Sequence, residues 1–427
     1  MSLREYAPAR SVPLDPAAGL ALATSGVLES ASPDPARPGH WLLRAGSRVG
    51  AVRIPIPAAT PGLHGRHARD QPAVTLRIAP KTTVRRLFFL LGFSLDPARA
   101  WRREGEGTVH TGAHDDVVPA LAHAVERQID QALRHGSLQG YQRVEESALV
   151  VRGRIREAEQ IRRRFGRTPP LEIAYDAYTP DIPENRILRA ACEHLLRLPG
   201  VPTDVRRRLH HQRVRLADAA PLVRGGELPA WTASRLNARY QPALRLAETV
   251  LKGMSPEHRP GALPLHGFLF DMNKVFEDFV TVALREAVRE HGLHGRLQAP
   301  HALDVAGRVK LLPDLVVHAS DGRTPVAVVD AKYKKEKGGA YPNADLYQML
   351  AYCTALGLDE GHLVYAAGQS AGQVHEVPDN RRARDAPAGR GSIRLHQHAL
   401  DLDREPADLI AAFRTLAARL VAPHDAT

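Results

Sequence analysis

The sequence predicts a multidomain protein, with an α+β first half in which a β-rich domain precedes a helical one, and an α/β domain after it. Its 427 residues exceed the size at which a single hydrophobic core usually stops growing. The spacing of apolar residues also changes twice, from short β-like runs to helical periodicity and then to alternating helices and strands. We therefore expect a β-rich domain at 1–112, a mainly helical domain at 113–255 and an α/β domain at 256–427.

The first segment alternates short runs of β-forming residues with turns that are rich in Pro and Gly. The runs cover residues 41–43, 49–56 and 74–78, and the apolar spacing that follows predicts a short helix over 82–93. This pattern is typical of a mainly β domain.

In the middle segment apolar residues recur four apart, as at Val117, Leu121, Val125 and Ile129. This spacing places them on one face of a helix. The stretch 256–264 is rich in Pro and Gly, which favours a domain boundary there. We expect the middle segment to be mainly helical and to dock a partner.

The last segment predicts the element order αβββαβ. A long amphipathic helix is followed by three β-rich runs with Gly-containing turns, then by a second helix and a fourth strand. The predicted elements are Phe268–Glu290, Leu297–Val305, Val309–His318, Pro325–Tyr333, Asn343–Leu356 and His362–Ala366.

The composition excludes several classes of protein. Hydrophobic residues make up 44% and charged residues 25% of the chain, which is ordinary for a globular protein. The most apolar run, Leu87–Leu91, is far shorter than the roughly 20 residues of a membrane-spanning helix, so we expect no membrane partner. Two cysteines, Cys192 and Cys353, are too few for a disulfide framework or a Cys-based zinc site. Since the start also lacks an apolar signal region, the sequence predicts a cytoplasmic protein with reduced thiols.

The charge favours a polyanionic partner such as nucleic acid. Lys and Arg number 58 against 47 Asp and Glu, for a net charge of +11, and such an excess attracts phosphate backbones. Only 8 of the 58 are Lys, and four of these lie between Lys332 and Lys337. Because most basic residues of this chain are Arg, a Lys indicates a position where a compact ammonium group performs a role that a guanidinium group cannot.

Three residues of the α/β segment form the candidate catalytic site. Asp330 and Lys332 are two apart in a predicted strand and therefore point to one face. A hairpin with the preceding strand would bring Asp314 beside Asp330. Hydrolysis of a phosphodiester calls for Mg²⁺ held by carboxylates and a positive group near the developing charge, so this arrangement predicts metal-dependent nuclease chemistry.

The surrounding residues resemble a known signature. Pro313-Asp314 and Asp330-x-Lys332 have the form of the PD-(D/E)xK nuclease motif. Gln348 and Tyr352, four apart on the next helix, resemble the Gln-x-x-x-Tyr helix of RecB-type nucleases, which packs beside the metal site. Glu277 resembles the upstream acid that often completes the metal shell. The resemblance implies a restriction-endonuclease-like fold, with Asp314, Asp330 and Lys332 catalytic, Asp314, Asp330 and Glu277 binding metal, and Gln348 and Tyr352 in support.

Seven segments along the chain carry a closer resemblance: RIAPK (77–81), GRI (153–155), YDAYTPDIPENRILRA (175–190), FDMNKVFEDFV (270–280), LLPDLVV (311–317), VVDAKYK (328–334) and DLYQMLAY (345–352). The resemblance is to the McrC family, the nuclease subunit of McrBC-type modified-cytosine-dependent restriction systems, in which similar segments occur in the same order. It implies a Mg²⁺-dependent endonuclease, with Mn²⁺ as a possible substitute, that acts on double-stranded DNA and stimulates an McrB-type AAA+ GTPase hexamer. The sequence contains no Gly-Lys-Ser/Thr and hence no P-loop, so we expect no nucleotide on this chain.

Two other functions stay open on the sequence alone. The chain could be a non-catalytic adaptor that activates a motor hexamer, or a stand-alone RecB-like DNA-processing nuclease.

Basic residues beside the candidate site are further candidates for binding nucleic acid. Lys334, Lys335 and Lys337 follow Lys332 directly, and they could contact phosphates or simply keep an edge strand soluble. The Arg runs at 162–164 and 206–208 are interpreted as charged helix surfaces.

Overall fold

A computed structural model gives the fold of this chain. It describes residues 1–56, 72–95, 97–102, 116–223, 226–253, 266–333, 343–366, 372–378 and 392–421. The predicted boundary segment 256–264 and the predicted junction at 112/113 lie outside these residues.

The helices that the structure describes are α1 (Pro16–Thr24), α2 (Val84–Leu95), α3 (Pro97–Arg102), α4 (Val117–Leu133), α5 (Glu157–Arg164), α6 (Pro183–Leu195), α7 (Thr203–Arg215), α8 (Gln241–Lys252), α9 (Met272–Glu290), α10 (Asn343–Leu356) and α11 (Pro406–Val421). The strands are β1 (Ser2–Arg4), β2 (Arg10–Pro13), β3 (Ser30–Pro33), β4 (His40–Arg44), β5 (Arg48–Pro55), β6 (Ala73–Ala79), β7 (Gly140–Ala148), β8 (Arg154–Ile155), β9 (Leu171–Thr179), β10 (His266–Asp271), β11 (His294–Leu297), β12 (His301–Ala302), β13 (Lys310–Leu311), β14 (Leu315–His318), β15 (Pro325–Lys332), β16 (Glu360–Ala366), β17 (Val374–Pro378) and β18 (Ser392–Leu400). None of these helices is both long and apolar enough to cross a bilayer.

The chain forms two compact units, each assembled from separate stretches. Unit 1 combines Met1–Gly50, Leu76–Val117 and Leu269–Thr427, and unit 2 combines Ala51–Thr75 and Val118–Phe268. This division differs from the three consecutive segments that the sequence predicts. The difference arises from contacts between residues far apart in sequence, which local apolar patterns do not encode.

Two of these contacts tie the start of unit 1 to its later parts. Strand β1 pairs in parallel with β6, with Ser2 opposite Arg77. Arg86 of α2 is buried, and its Nη2 donates to Glu405 Oε1, just before α11, at 2.6 Å. The Glu405 side chain is 64% exposed, and Arg86 Nη2 also donates to the main-chain oxygen of Asp403 at 3.2 Å. These contacts satisfy the buried guanidinium and link α2 to the start of α11.

A six-stranded sheet organises unit 1, in the order β11-β14-β15-β16-β18-β17. The β11-β14-β15 ladder is antiparallel, the β15-β16-β18 ladder is parallel, and β17 is antiparallel to β18. Helix α10 is the crossover between parallel strands β15 and β16. The element order is therefore α, three main strands, α, strand, as the sequence predicts, with the short β12-β13 hairpin added. The bounds of the first predicted strand, Leu297–Val305, are wrong: β11 ends at Leu297, and the rest of the predicted range contains only the two-residue strand β12 and the turns around it.

The two faces of this sheet are covered by different helices. Alternate strand residues such as Val328, Leu363 and Tyr365 pack with α10 in one buried cluster. On the other face, Phe276 of α9 lies against Tyr333, with ring centroids 5.7 Å apart. The aromatic core of unit 1 continues from α9 to α2 and α11 through edge-to-face contacts, a favoured arrangement, of Phe89, Phe93, Phe279 and Phe413.

Helix α10 has the predicted bounds, whereas two other predictions in unit 1 need adjustment. Helix α9 begins at Met272 and not at 268, because residues 266–271 form β10 and the Asp271 carboxylate caps the helix. The predicted strand 309–318 is divided into β13 and β14. Pro313 lies between them and has no N–H to donate to a ladder.

Unit 2 contains α4 to α8 and also a three-stranded antiparallel sheet, β7-β9-β8. The prediction of a mainly helical segment misses this sheet. The nine-residue strands β7 and β9 pair along their whole length, but β7 contains no fully buried residue. The sequence of β7, GYQRVEESA, lacks the alternation of apolar and polar residues that identifies a strand.

Candidate active site on β14 and β15

Asp314 immediately precedes β14 and is fixed by hydrogen bonds to both of its neighbours in the sheet. Its Oδ2 accepts the Ala331 N–H at 2.8 Å, and its main-chain oxygen accepts the N–H of Gln298 at 3.1 Å. Because Ala331 stands between Asp330 and Lys332, the Asp314 carboxylate is held beside both of these side chains. The hairpin predicted from the sequence thus places Asp314 at the middle of the candidate site.

Asp330 and Lys332 lie on the face of β15 that packs with α10. Asp330 is 2% exposed, and its Oδ2 forms an ion pair with Lys332 Nζ. The register aligns Asp330 with Leu363 and Lys332 with Tyr365 on β16, residues of the α10 face. The two-residue period of a strand therefore brings the acid and the base together, as predicted.

Burial shifts the pKa values of these three groups. Burial, and then the charge of Asp330, raises the pKa of Asp314. Burial also raises the pKa of Asp330, although Lys332 partly offsets this effect. For Lys332, burial is the largest single effect and acts to lower the pKa, but the charge and hydrogen bond of Asp330, together with the charges of Asp314 and Asp345, outweigh it and the pKa is raised. Two buried carboxylates with one ammonium are an incompletely compensated negative site, which a cation would stabilise.

Glu277 of α9 faces this site, since its charge further raises the pKa of Asp314. Its Oε1 accepts from Lys274 Nζ at 2.8 Å and from Gln298 Nε2 at 2.5 Å. Lys274 also pairs with Asp278, at 2.9 Å. The structure therefore brings the third predicted metal ligand toward Asp314 and gives it two donors, Lys274 and Gln298.

The donor set fits a hard divalent cation. Asp330 Oδ2 is buried, and no residue that the structure describes gives it a hydrogen bond of good geometry. Over the same residues, no three His, Cys, Asp or Glu side chains surround one point closely enough to hold an ion by themselves. Mg²⁺ retains several waters and needs only one or two carboxylates, so Asp314 and Asp330 would suffice.

Helix α10 supports the site through Tyr352 and Gln348. The Tyr352 hydroxyl donates to the main-chain oxygen of Leu312 at 3.3 Å and accepts from Gln348 Nε2 at 2.8 Å. Burial, followed by the charges of Asp330 and Asp314, raises the pKa of Tyr352. Tyr352 thus fixes the backbone two residues before Asp314, and both predicted supporting residues lie where they can orient it.

Sequence reasoning missed three residues around the site. Lys274 and Gln298 contact Glu277, and Asp345 of α10 is buried, accepts from the Tyr365 hydroxyl at 3.2 Å and acts electrostatically on Asp330. A signal existed for Lys274, one of the few Lys in an Arg-rich chain. A signal also existed for Asp345, which shares a helical face with Gln348 and Tyr352. No pattern in the sequence points to Gln298.

The predicted nucleic-acid-binding residues Lys334, Lys335 and Lys337 are not part of the site as the structure describes it. All three follow Tyr333 and lie outside the described residues, which end at 333 and resume at 343. Their contact with phosphates therefore stays a prediction.

The Arg run at 162–164 pairs with acids of its own unit. Each of its three Arg side chains forms an ion pair with Glu159 or Glu172. These ion pairs agree with the interpretation of the run as a charged surface.

Unit 2 carries an exposed apolar surface on and around its sheet. The aromatic rings of Tyr141 and Tyr178 lie 5.2 Å apart, with 78% and 62% of these residues exposed. Phe165, at the end of α5, is 88% exposed. So many exposed large apolar side chains in one small sheet and helix are typical of a binding surface. We define the unit 2 apolar surface as these exposed residues of the sheet, of α5 and of the loop after β7: Tyr141, Leu149, Val150, Val151, Ile161, Phe165 and Tyr178. Ile155 is also exposed, but it lies opposite Ile173 and thus on the other face of the sheet from Tyr178.

Comparison with solved structures shows the fold. A refined half-complex from a tetradecameric assembly of Thermococcus gammatolerans McrB AAA+ hexamers with bound McrC contains a chain that matches 99% of this one over 100% of its own length, with a TM-score of 0.54 and 16% identity. A cryo-EM structure of the Thermococcus gammatolerans McrBC complex matches 67% of this chain and 88% of its own, with a TM-score of 0.38 and 16% identity. A search of curated proteins gives no match.

Comparison with protein families gives a match over most of the chain. The family described as "McrBC 5-methylcytosine restriction system component" matches residues 45–366. This range contains every residue of the candidate site, from Glu277 to Tyr352. The resemblance to McrC is thereby confirmed, and the chain belongs to the family of McrBC 5-methylcytosine restriction system components.

Proposed function

We propose that this chain is the Mg²⁺-dependent endonuclease subunit of a GTP-driven McrBC-type restriction complex that cuts DNA containing modified cytosine. The observation that carries the proposal is the convergence of Asp314 and Asp330 from neighbouring antiparallel strands, with Lys332 paired to Asp330. These are the groups that hydrolysis of a phosphodiester requires. The order of α9, the three main strands, α10 and β16 favours a PD-(D/E)xK core for this part of unit 1.

Asp314 and Asp330 would hold Mg²⁺, with Glu277 completing the shell directly or through a water. Mn²⁺ would substitute, because it also accepts carboxylate and water ligands. When bound, the ion would polarise the scissile phosphate and acidify a water. The chain itself keeps Asp314 in place through the Ala331 N–H and orients Glu277 through its two donors.

Lys332 would supply the positive charge next to the reacting phosphate. Its side chain is 19% exposed, so the ammonium reaches the surface while its stem stays within the sheet. With Asp330 engaged in holding the ion, the Lys332 ammonium would be available to the phosphate and the attacking water. There it would stabilise the charge that develops as the phosphodiester is cleaved.

The partner we propose is an McrB-type AAA+ GTPase hexamer, which would move double-stranded DNA to the nuclease. The solved assembly with the similar chain contains McrB AAA+ hexamers with bound McrC, and this chain has no P-loop of its own. The unit 2 apolar surface provides a place for such a protein partner. Unit 2 would therefore dock the motor and stimulate its GTPase, while unit 1 cuts.

The test is reconstitution of the chain with the McrB-type GTPase of the same system, on DNA with and without 5-methylcytosine. We expect cleavage only of modified DNA, and only with GTP, the partner and Mg²⁺ or Mn²⁺ together. Stimulation of GTP hydrolysis without any cleavage would identify a non-catalytic adaptor. Cleavage that needs neither GTP nor partner would identify a stand-alone nuclease.

A further inference from the structure

Gln298 adopts a backbone conformation that is unusual for a residue with a side chain. Its φ is +45°, in the left-handed region that glycine tolerates and that other L-residues rarely enter. It follows β11 and is exposed, so no packing of its side chain into a core requires this conformation. Strained residues of this kind persist where surrounding contacts fix them, and they concentrate at functional sites.

Two hydrogen bonds connect Gln298 to two acids of the candidate site. Its N–H donates to the main-chain oxygen of Asp314 at 3.1 Å. Its side-chain Nε2 donates to Glu277 Oε1 at 2.5 Å. Glu277 lies on α9 and Asp314 precedes β14, so a single residue bridges two elements that must be aligned for both acids to act on one ion.

The side-chain bond also decides which Glu277 oxygen remains available. Gln298 Nε2 and Lys274 Nζ both approach Oε1. No residue that the structure describes donates to the second oxygen, Oε2. A carboxylate with one oxygen held by two donors is rotationally fixed, and its other oxygen keeps the lone pairs that a metal ion would use.

We propose that Gln298 is a positioning residue of the metal site, acting through Glu277. Its amide holds Oε1 so that Oε2 is available to a water of the cation that Asp314 and Asp330 would bind, and its left-handed backbone is the conformation in which both bonds form together. This inference rests on the proposed nuclease function, because it assumes that the two aspartates bind a divalent ion and that Glu277 holds one of its waters.

The experiment measures Mn²⁺ binding to the full-length chain by calorimetric titration, without DNA or partner. Gln298→Met keeps the length of the side chain and removes its donor. We expect the dissociation constant for Mn²⁺ to rise about 10-fold or more, as when other partners of metal ligands are removed. The unfolding temperature without metal should be unchanged. Gln131→Met, on an exposed face of α4, is the matched control and should bind like the parent.

Gln298→Gly separates the side chain from the backbone strain. Glycine accepts a positive φ without penalty, so this variant should unfold at the same or a higher temperature and still bind Mn²⁺ as weakly as Gln298→Met. Parent-like Mn²⁺ affinity in both variants would overturn the proposal.

A double-mutant cycle tests whether Gln298 acts through Glu277. If it does, Gln298→Met should add nothing in the Glu277→Gln background. An equal loss of affinity in both backgrounds would show that Gln298 acts otherwise. The Asp330→Asn variant tests the metal site independently of Gln298. Unaltered Mn²⁺ binding by Asp330→Asn would contradict the metal site itself. If Asp330→Asn loses Mn²⁺ binding while Gln298→Met binds like the parent, only the role of Gln298 is contradicted.

Discussion

The two units depart from ordinary burial in opposite ways. Unit 1 buries charge: Asp330 is 2% exposed and pairs with Lys332, and Asp345 is 5% exposed. Unit 2 exposes apolar surface: Phe165 is 88% exposed and Tyr141 is 78% exposed. Buried charge and clustered exposed apolar side chains are the two informative exceptions to the usual partition of residues.

The difference between the units indicates what each one lacks. A buried carboxylate is stabilised by a cation, whereas an exposed apolar surface is stabilised by another macromolecule. On this basis we propose metal-dependent chemistry for unit 1 and partner docking for unit 2. The assignment predicts that variants in the two units affect separate activities.

The largest expected effect is on metal binding by Asp314→Asn. The variant removes a ligand charge, while its amide oxygen can still accept the Ala331 N–H, so the fold should be kept. We expect Mn²⁺ affinity to fall by about 10²-fold or more, at the upper end of the effects seen around metal sites. Calorimetric titration and thermal unfolding of the same sample check this. An unchanged Mn²⁺ affinity would contradict the proposal that the buried acids of unit 1 bind a metal ion.

Lys332→Arg should lose cleavage on the order of 10²-fold, as other electrostatic groups at reacting centres do. The charge is preserved, so DNA binding should stay the same, but a planar guanidinium does not replace a compact ammonium within the sheet. Single-turnover cleavage by the reconstituted complex, beside a binding assay at matched salt, measures both. Cleavage close to the parent rate would make Lys332 a general surface charge.

Phe165→Asp should weaken binding of the GTPase partner about 30-fold, which corresponds to a hot-spot loss of about 2 kcal/mol. The residue is exposed and has a φ of +52°, a conformation that Asp tolerates, so stability should be kept. Leu236→Asp, at an equally exposed site of unit 2 outside the sheet, is the control. Equal behaviour of the two variants would remove the docking role of the unit 2 apolar surface.

The effect that is smallest when taken per pH unit distinguishes a metal site from buried titratable groups in general. Burial, with neighbouring His396 and Arg419, lowers the pKa of His398 from 6.5 to about 4. The unfolded chain thus binds a proton that the folded chain does not, and the free energy of unfolding falls as pH drops from 6.5 toward 4. The slope approaches about 1.4 kcal/mol per pH unit. We expect His398→Gln to flatten this slope, in urea titrations with and without Mg²⁺ alike. If the free energy of unfolding of His398→Gln still falls with pH at the parent slope, other groups cause the pH dependence.

The local part of the site could be predicted from sequence because strand and helix periods fix which side chains share a face. Asp330 with Lys332, and Gln348 with Tyr352, follow from spacings of two and four residues. Helix α10 has the predicted bounds because Gly357, with a φ of +70°, follows directly after its last residue. These features depend on residues that are close together in the chain.

Other features depend on distant contacts, and no local pattern predicts them. The Tyr333 hydroxyl donates to Glu5 at 3.3 Å, and Lys81 Nζ lies 3.8 Å from the centre of the Tyr333 ring. These contacts join the first residues of the chain to the end of β15, which a division into consecutive domains could not anticipate. The bond from Gln298 to Glu277 is of the same kind, because it depends on the placement of β11 against α9.

The most direct test of the account measures both activities of Asp330→Asn in one reaction. The variant is reconstituted with the GTPase partner on DNA that contains 5-methylcytosine, with Mg²⁺ and GTP, and DNA cleavage and GTP hydrolysis are followed together. We predict that cleavage is abolished while stimulated GTP hydrolysis stays at the parent rate, because the substitution removes a metal ligand of unit 1 and leaves unit 2 unaltered. Cleavage at the parent rate would contradict the assignment of the active site, and loss of GTPase stimulation would contradict the separation of the two units.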